Sequence, residues 1–294
     1  MAYLGQAPEL HIRYAADLRD FQFIYLNISE GNFMISKILF CTALLFTSFM
    51  SYAAILTNPG ISEDAIGHWV TSVVDFSPGP QDINVPGSPI VTHGLPSAGL
   101  GARDNSTVSL GDGGSITLAF DTPISNIAGP DFAIFENGFS FSGKLFAELG
   151  FVAVSSDGTN FASFATSFIN PEIDDSFGSA FRLIDVNQIN NFAGAHAAPL
   201  GTGFELSDLA GDSLIIDGLV DLNAIMFIRI TDAIGDGSRT DTLGNPILDP
   251  YPTDVGVGGF DLDAIGAIAP VPIPPAVALF GSAILWLFRN RRPS

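Results

Sequence analysis

The sequence predicts an all-β fold: a β-sandwich, jelly-roll-like in its winding, with short helices and a hydrophobic helix at the C-terminus. Three observations carry this. Short apolar runs alternate with polar residues at the two-residue period of a pleated strand. The chain holds 31 Gly and 19 Pro, which punctuate those runs every few residues. Helical periodicity is thin, and the acids are mostly Asp, which suits turns better than helices. Many short strands joined by such turns form sandwiches or barrels.

Taken in order, residues 69–76 read as the first strand. Residues 115–120 alternate, with Ile116, Leu118 and Phe120 on one face. Residues 132–136 and 151–154 are continuous apolar runs, the pattern of strands buried on both faces. Asp157-Gly158 follows the second of these and precedes the run 161–164, a hairpin arrangement. Residues 185–191 and 204–210 suit single short helices. In residues 224–231, Met226, Ile228 and Ile230 fall on one face and Ile225, Phe227 and Arg229 on the other. Residues 260–268 form the last strand. No repeat of fixed period is present.

Composition excludes several functions. The 294 residues carry 11 Lys+Arg against 31 Asp+Glu, a formal net charge of -20. Nucleic-acid binding needs cations to replace counterions, so it is disfavoured. The single cysteine, Cys41, excludes a disulfide scaffold and every cysteine-based zinc cluster.

The two ends read as addresses. Met34 and Lys37 open a short basic start, and residues 38–50 form an apolar run inside the ~7–15 residues of a signal-peptide core. Ser51 and Ala53 place small residues before a cleavage point after Ala53. The signal peptide therefore spans 34–53, and Cys41 leaves with it. Residues 1–33 carry Glu9, Asp17, Asp20 and Glu30, which such a start avoids, so they read as a mis-assigned upstream extension. At the other end, the proline-free apolar stretch 276–288 spans roughly 20 Å as a helix, short of the ~30 Å hydrocarbon core. Arg289, Arg291 and Arg292 follow it, a cationic stop on the cytoplasmic side.

Val271, Pro272, Ile273 and Pro274, then Leu279-Phe280-Gly281-Ser282, then the arginines, resemble a PEP-CTERM sorting signal in its VPxP variant. Ile273 stands where the family name implies Glu. The resemblance covers about 22 residues. It implies export by a Gram-negative bacterium, recognition by an exosortase, and an association with extracellular polysaccharide. A plain C-terminal anchor is the alternative. Gly129 to Asn137, Ser155 to Phe161 and Gly258 to Ala264 resemble a recurrent block of uncharacterised bacterial cell-surface proteins. That resemblance implies an exported β-rich module and brings no catalytic residues.

Between the addresses, residues 54–268 form the expected domain, followed by the sorting region 269–294. The domain holds 27 of the 31 acids but only five basic residues: Arg103, Lys144, Arg182, Arg229 and Arg239. Such a charge disfavours anionic partners and favours cations. Gly211-Asp212-Ser213-Leu214 matches the letters of a hydrolase signature. It falls late in the domain with no histidine after His196, so it reads as a turn entering a strand. His68, His93 and His196 show no metal-ligand spacing, and no G-x-S-x-G elbow is present. Gly111-Asp112-Gly113-Gly114 is a turn whose Asp112 would repel phosphate.

The carboxylates carry the most information. Asp232, Asp236, Asp241 and Asp249 punctuate residues 232–259, where neither strand nor helix is evident. A loop that long needs something to order it. Calcium does this by taking about 6–8 oxygens. The EF-hand spacing fails, because Ile234 and Leu243 occupy ligand positions. Asp261 and Asp263 alternate onto one strand face. Glu136 ends an apolar run, where burial without a partner is costly. Glu136, Asp232, Asp236, Asp241, Asp249, Asp261 and Asp263 are thus candidates to hold one structural Ca2+; a solvated acidic surface is the alternative. Trp69 reads as core, and Tyr251, in a proline-flanked loop, as a candidate for stacking on a sugar ring.

The expectation is an exported surface or matrix protein with a non-catalytic binding or structural sandwich. Its partners would be signal peptidase, the exosortase and extracellular polysaccharide. The alternatives are a secreted glycan-active hydrolase using two acids and a calcium-dependent carbohydrate-binding module.

Overall fold

The computed structural model describes residues 57–169, 172–253 and 256–270. The extension 1–33, the signal peptide 34–53 with Ala53, and the sorting residues Val271, Pro272, Pro274, Arg289, Arg291 and Arg292 lie outside the described residues, as does the expected C-terminal helix.

In chain order the strands are β1 (Gly60–Ile61), β2 (Ile66–Trp69), β3 (Ser72–Ser77), β4 (Val108–Ser109), β5 (Ser115–Ile124), β6 (Phe132–Glu136), β7 (Phe139–Phe141) and β8 (Lys144–Phe146). They continue with β9 (Gly150–Ser155), β10 (Ala162–Ser163), β11 (Ser167–Phe168), β12 (Ile189–Asn190), β13 (Phe192–Ala193), β14 (Gly201–Phe204), β15 (Ile225–Asp232) and β16 (Asp261–Ile268). One antiparallel sheet runs β1-β14-β6-β16-β2, with β4 also on β16. The other runs β10-β9-β15-β5-β3, with β13 also on β9.

Phe132, Ile134, Phe204, Ile265 and Ala267 of the first sheet pack into one core with Ile116, Leu118, Val152, Val154, Ile228 and Ile230 of the second. The protein is therefore an all-β sandwich. Successive long strands mostly change sheet, as jelly-roll-like winding requires, and the first long strand β2 pairs with the last, β16. β3 and β5 depart from that winding by pairing side by side.

Four sequence readings are corrected. The run 69–76 is two strands, because the chain crosses between sheets at buried Val70 and exposed Thr71. Ile225 is buried with Ile228 and Ile230 while Met226 is only half-buried, because a bulge breaks the alternation between Ile225 and Phe227. Residues 151–154 alternate after all: Val152 and Val154 enter the core, whereas Phe151 packs against Phe192 in a second cluster. Gly211 to Leu214 enters a helix, α1 (Ser213–Ile216), because the Asp212 carboxylate caps the Leu214 N–H at 2.8 Å. Of the two expected short helices, 204–210 contains the 3-10 turn Leu206–Leu209. The other, 185–191, contains only Val186–Gln188 before β12 begins. The hairpin at Asp157-Gly158 joins β9 to β10, with Ala162 opposite Val154.

Phe204 stacks on Phe132 at 5.2 Å and meets Phe164 at 5.1 Å, so this trio spans the core. Phe204→Ala is expected to cost about 3–5 kcal/mol and lower the melting temperature by roughly 10 °C. A scan showing a shift below about 3 °C would contradict that packing role.

Candidate functional site: a carboxylate cluster at one end of the sandwich

Antiparallel pairing brings strand ends together. Glu136 closes β6 opposite Leu262, so it lies beside Asp261, which opens β16. Asp232 closes β15 opposite Gly150, so it lies beside Glu148, just before β9. The loop leaving β15 returns Asp249 to the same place, where its Oδ2 accepts from the Leu149 N–H at 3.2 Å. Five carboxylates thus meet at one end of the molecule. All are buried, Glu136 and Glu148 to 2% and 5% exposure.

Their hydrogen bonds differ. Asp232 is fully engaged: Gly113 N–H and Phe260 N–H donate to it at 3.0 and 2.7 Å. Asp261 accepts from the Ser109 hydroxyl and from Asn137 Nδ2 at 2.8 Å. Glu136 Oε2 accepts from Gly138 N–H at 2.8 Å, while its Oε1 is buried without a partner. Asp249 Oδ1 is likewise unpartnered, pressed against Gly235, where a Cβ would collide with it. Glu148 accepts no hydrogen bond from any described residue.

The electrostatics follow. Burial pushes the Glu148 carboxyl well above its usual range, and Asp261, Glu136, Asp232 and Asp249 push it further. Burial also raises Glu136 strongly, against the Gly138 N–H, with help from Asp261 and Asp263. Asp249 is raised by burial and by Asp232. Burial lifts Asp232 to about 7 despite its two N–H donors. Asp112, in the turn before β5, is lifted by burial to about 6 although Ile83 N–H donates to it. Asp261 is raised by burial, with Ser109, Asn137 and the nearby His93 opposing. Among the described residues no lysine or arginine forms an ion pair with any of the five. Arg182 comes near but donates from Nη1 to the backbone carbonyls of Asp249 and Gly235, at 3.0 and 3.3 Å.

Of the seven carboxylates singled out in the sequence, four join this cluster: Glu136, Asp232, Asp249 and Asp261. Asp263 does not share their partners. The register slips between Leu262 and Ala264, and Asp263 accepts from the Asp104 and Asn105 N–H groups, with Arg103 Nε at 3.4 Å. Asp241 ties its own loop, accepting from Phe168, Leu243 and Asn245 N–H groups at 2.6, 2.9 and 2.8 Å. Asp236 accepts from Ser238 N–H at 2.8 Å and Asn84 Nδ2 at 2.7 Å. Hydrogen bonds thus engage these last two side chains. Burial is the largest single influence on Asp236 and Asp241 and raises both, but their several hydrogen bonds together more than offset it, leaving both below the usual carboxylate range. Among the described residues, no three His, Cys, Asp or Glu side chains converge closely enough to hold a metal ion as they stand.

The other candidates sit elsewhere. Trp69 is half-buried against Phe135 at 5.5 Å. The Tyr251 hydroxyl donates to Asp82 and accepts from Asn84 Nδ2 at 2.7 Å; burial and the Asp82 hydrogen bond push it to about 12. His68 and His196 bond the carbonyls of Thr122 and Asn58 at 3.3 and 2.7 Å.

Glu148 is the member the sequence reading missed. It sits inside the run Phe146-Ala-Glu-Leu-Gly-Phe151, the same signal of a charge within apolar residues that picked out Glu136. It also lines a pocket of about 470 Å3 with Asp261, Asn137, Phe139, Phe146 and Phe181, which opens the cluster to solvent. Compared with known proteins, the chain matches no family model and no curated protein.

Proposed function

We propose that this chain is an exported cell-surface or extracellular-matrix protein of a Gram-negative bacterium, carrying a non-catalytic β-sandwich whose carboxylate cluster takes up a cation, calcium. Export and sorting rest on the termini: the cleavage point after Ala53, the proline motif at Val271, Pro272 and Pro274, and the arginines at 289, 291 and 292. The exosortase and signal peptidase are its processing partners, and extracellular polysaccharide its surroundings.

The observation that carries the cation reading is the meeting of Glu136, Glu148, Asp232, Asp249 and Asp261 without a basic partner, with Glu136 Oε1 and Asp249 Oδ1 left unpaired. Buried charges are stable only when paired or metal-bound. Calcium takes carboxylate oxygens in flexible geometry. Glu148 is free to move inward to meet an ion, since no described residue holds it.

Isothermal titration with CaCl2 tests this: one ion per chain is expected, and absence of saturable binding overturns it. For sorting, deletion of 271–294 is expected to change cell fractionation while leaving the melting temperature unchanged. Unchanged fractionation would overturn the sorting claim.

A second reading, hydrolysis of a glycosidic bond, is favoured by one observation: Glu148 and Asp261 line the same pocket. Two acids in a cleft are the minimum for that reaction. Release of reducing ends from a polysaccharide, lost in Glu148→Gln, would replace the non-catalytic reading.

A further inference from the structure

The pocket above the carboxylates has unusual walls. β7 and β8 form a hairpin that stacks Phe139 on Phe146 at 5.0 Å, and Phe146 meets Phe181 at 6.2 Å. Phe139 and Phe181 also belong to a second, adjoining pocket of about 340 Å3, completed by Phe141, Phe177 and Leu183. Phe141 and Phe177 meet edge-on at 5.3 Å. The four rings at 139, 141, 177 and 181 are each 50–58% exposed. Single exposed apolar residues are ordinary on a surface, but four that share one hollow mark a binding site. Two of the four, Phe139 and Phe181, also line the neighbouring pocket, where they face Glu148 and Asp261; Glu148 is nine-tenths buried and accepts no hydrogen bond from any described residue.

These features select one ligand chemistry. An anion is repelled by these two acids and by the net charge of -20. A neutral apolar molecule would bury Glu148 further without giving it a partner. A bare metal ion finds oxygens there but leaves the faces of Phe139, Phe146 and Phe181 unused. An ammonium group satisfies both, since it pairs with carboxylate and is attracted to aromatic faces.

We propose that this pocket binds an organic ammonium bearing an aryl or alkyl arm, with the cationic head on Glu148 and Asp261 and the arm on the phenyl rings of Phe139 and Phe181. The inference deepens the cation reading above, since it rests on the same acids. Calcium and the ammonium would share Glu148, so saturating calcium should weaken phenethylammonium binding.

The test is isothermal titration of the full chain with phenethylammonium, ammonium, 2-phenylethanol and phenylacetate, each with and without calcium. Saturable one-to-one binding of phenethylammonium is expected. Ammonium and phenylethanol should bind at least about tenfold more weakly, and phenylacetate not at all. Glu148→Gln and Phe181→Ala should each weaken phenethylammonium by about tenfold or more. Phe181 is exposed, so its variant should keep the wild-type melting temperature. Equal binding of phenethylammonium and phenylethanol, binding unchanged in Glu148→Gln, or no saturable binding would each overturn the proposal. Calcium binding without phenethylammonium binding overturns this inference and leaves the cation reading standing. Phenethylammonium binding without calcium binding overturns only the calcium assignment.

Discussion

In chelator, raising the pH from 4 to 8 should lower the melting temperature by about 10 °C or more. Asp232 is lifted to about 7 and Asp112 to about 6, as is Asp131, which lies apart from the cluster just before β6 and accepts from the Ile127 and Leu206 N–H groups; Glu136, Glu148 and Asp249 are raised as well. The first cause in every case is burial, which disfavours the charged form. Each group therefore binds its proton more tightly folded than unfolded. The stability this contributes is complete below the unfolded value near 4 and disappears as pH rises through the folded one. Asp232 alone is worth on the order of 4 kcal/mol, or about 10 °C in a domain of this size. Among the described residues, His93 lies beside Asp261 and the Arg182 guanidinium on the Asp249 carbonyl. Neither offsets the burial that dominates. Asp157, Asp236 and Asp241 work in the opposite sense. Their hydrogen bonds hold them below the usual range, so their contribution is lost as pH falls below about 4. The optimum should sit in mild acid, between these two windows. A melting temperature that is flat or rises from pH 4 to 8 in chelator would contradict the burial of these carboxyls.

Glu148→Gln should raise the melting temperature at pH 8 in chelator. Glu148 is surrounded by four carboxylates and stabilised by no hydrogen bond among the described residues. Both ionising this group and holding it protonated at pH 8 therefore cost stability. Gln keeps the volume and removes the charge, for a gain of roughly 2–4 kcal/mol, or about 5–10 °C. At pH 4, where the carboxyl is protonated, the variant and wild type should melt within about 2 °C of each other. The same substitution should weaken calcium binding, because it removes a ligand oxygen charge. Most core substitutions destabilise, so a gain confined to high pH distinguishes relief of repulsion from general repacking. Loss of stability at pH 8 would show that Glu148 has a partner supporting its charge.

Much of the fold was legible because its strands are short and punctuated. Ile116, Leu118 and Phe120 all reach the core, as their alternation implied, and residues 132–136 are buried throughout. What escaped were events that break a strict period. The crossing at Val70 and Thr71 leaves no turn residue behind. The bulges after Ile225 and Leu262 shift register without a Gly or Pro to announce them.

The site was half legible. Glu136 was visible as an acid closing an apolar run, Asp232 as the start of a long acidic loop, and Asp261 through its alternation with Asp263. Glu148 is likewise an acid among apolar residues, but the cluster it centres is assembled by pairing between strands far apart in sequence. Asp112 reads as an ordinary turn residue, although folding buries it to 4% exposure. Asp236 and Asp241 lie apart from the cluster and accept hydrogen bonds, from Asn84 and Phe168 among others, that the sequence does not announce. The phenyl walls come from Phe139, Phe146 and Phe181, and only the fold brings them beside Glu148 and Asp261.

The central claim is that the buried acids await a cation, and melting at pH 7.5 tests it most directly. The full chain should be scanned in chelator, in excess magnesium and in excess calcium. An ion bound only to the native state at about 100 times its Kd adds about 2.7 kcal/mol, or roughly 5–10 °C here. The account predicts that rise with calcium and little change with magnesium; identical melting in all three would contradict it.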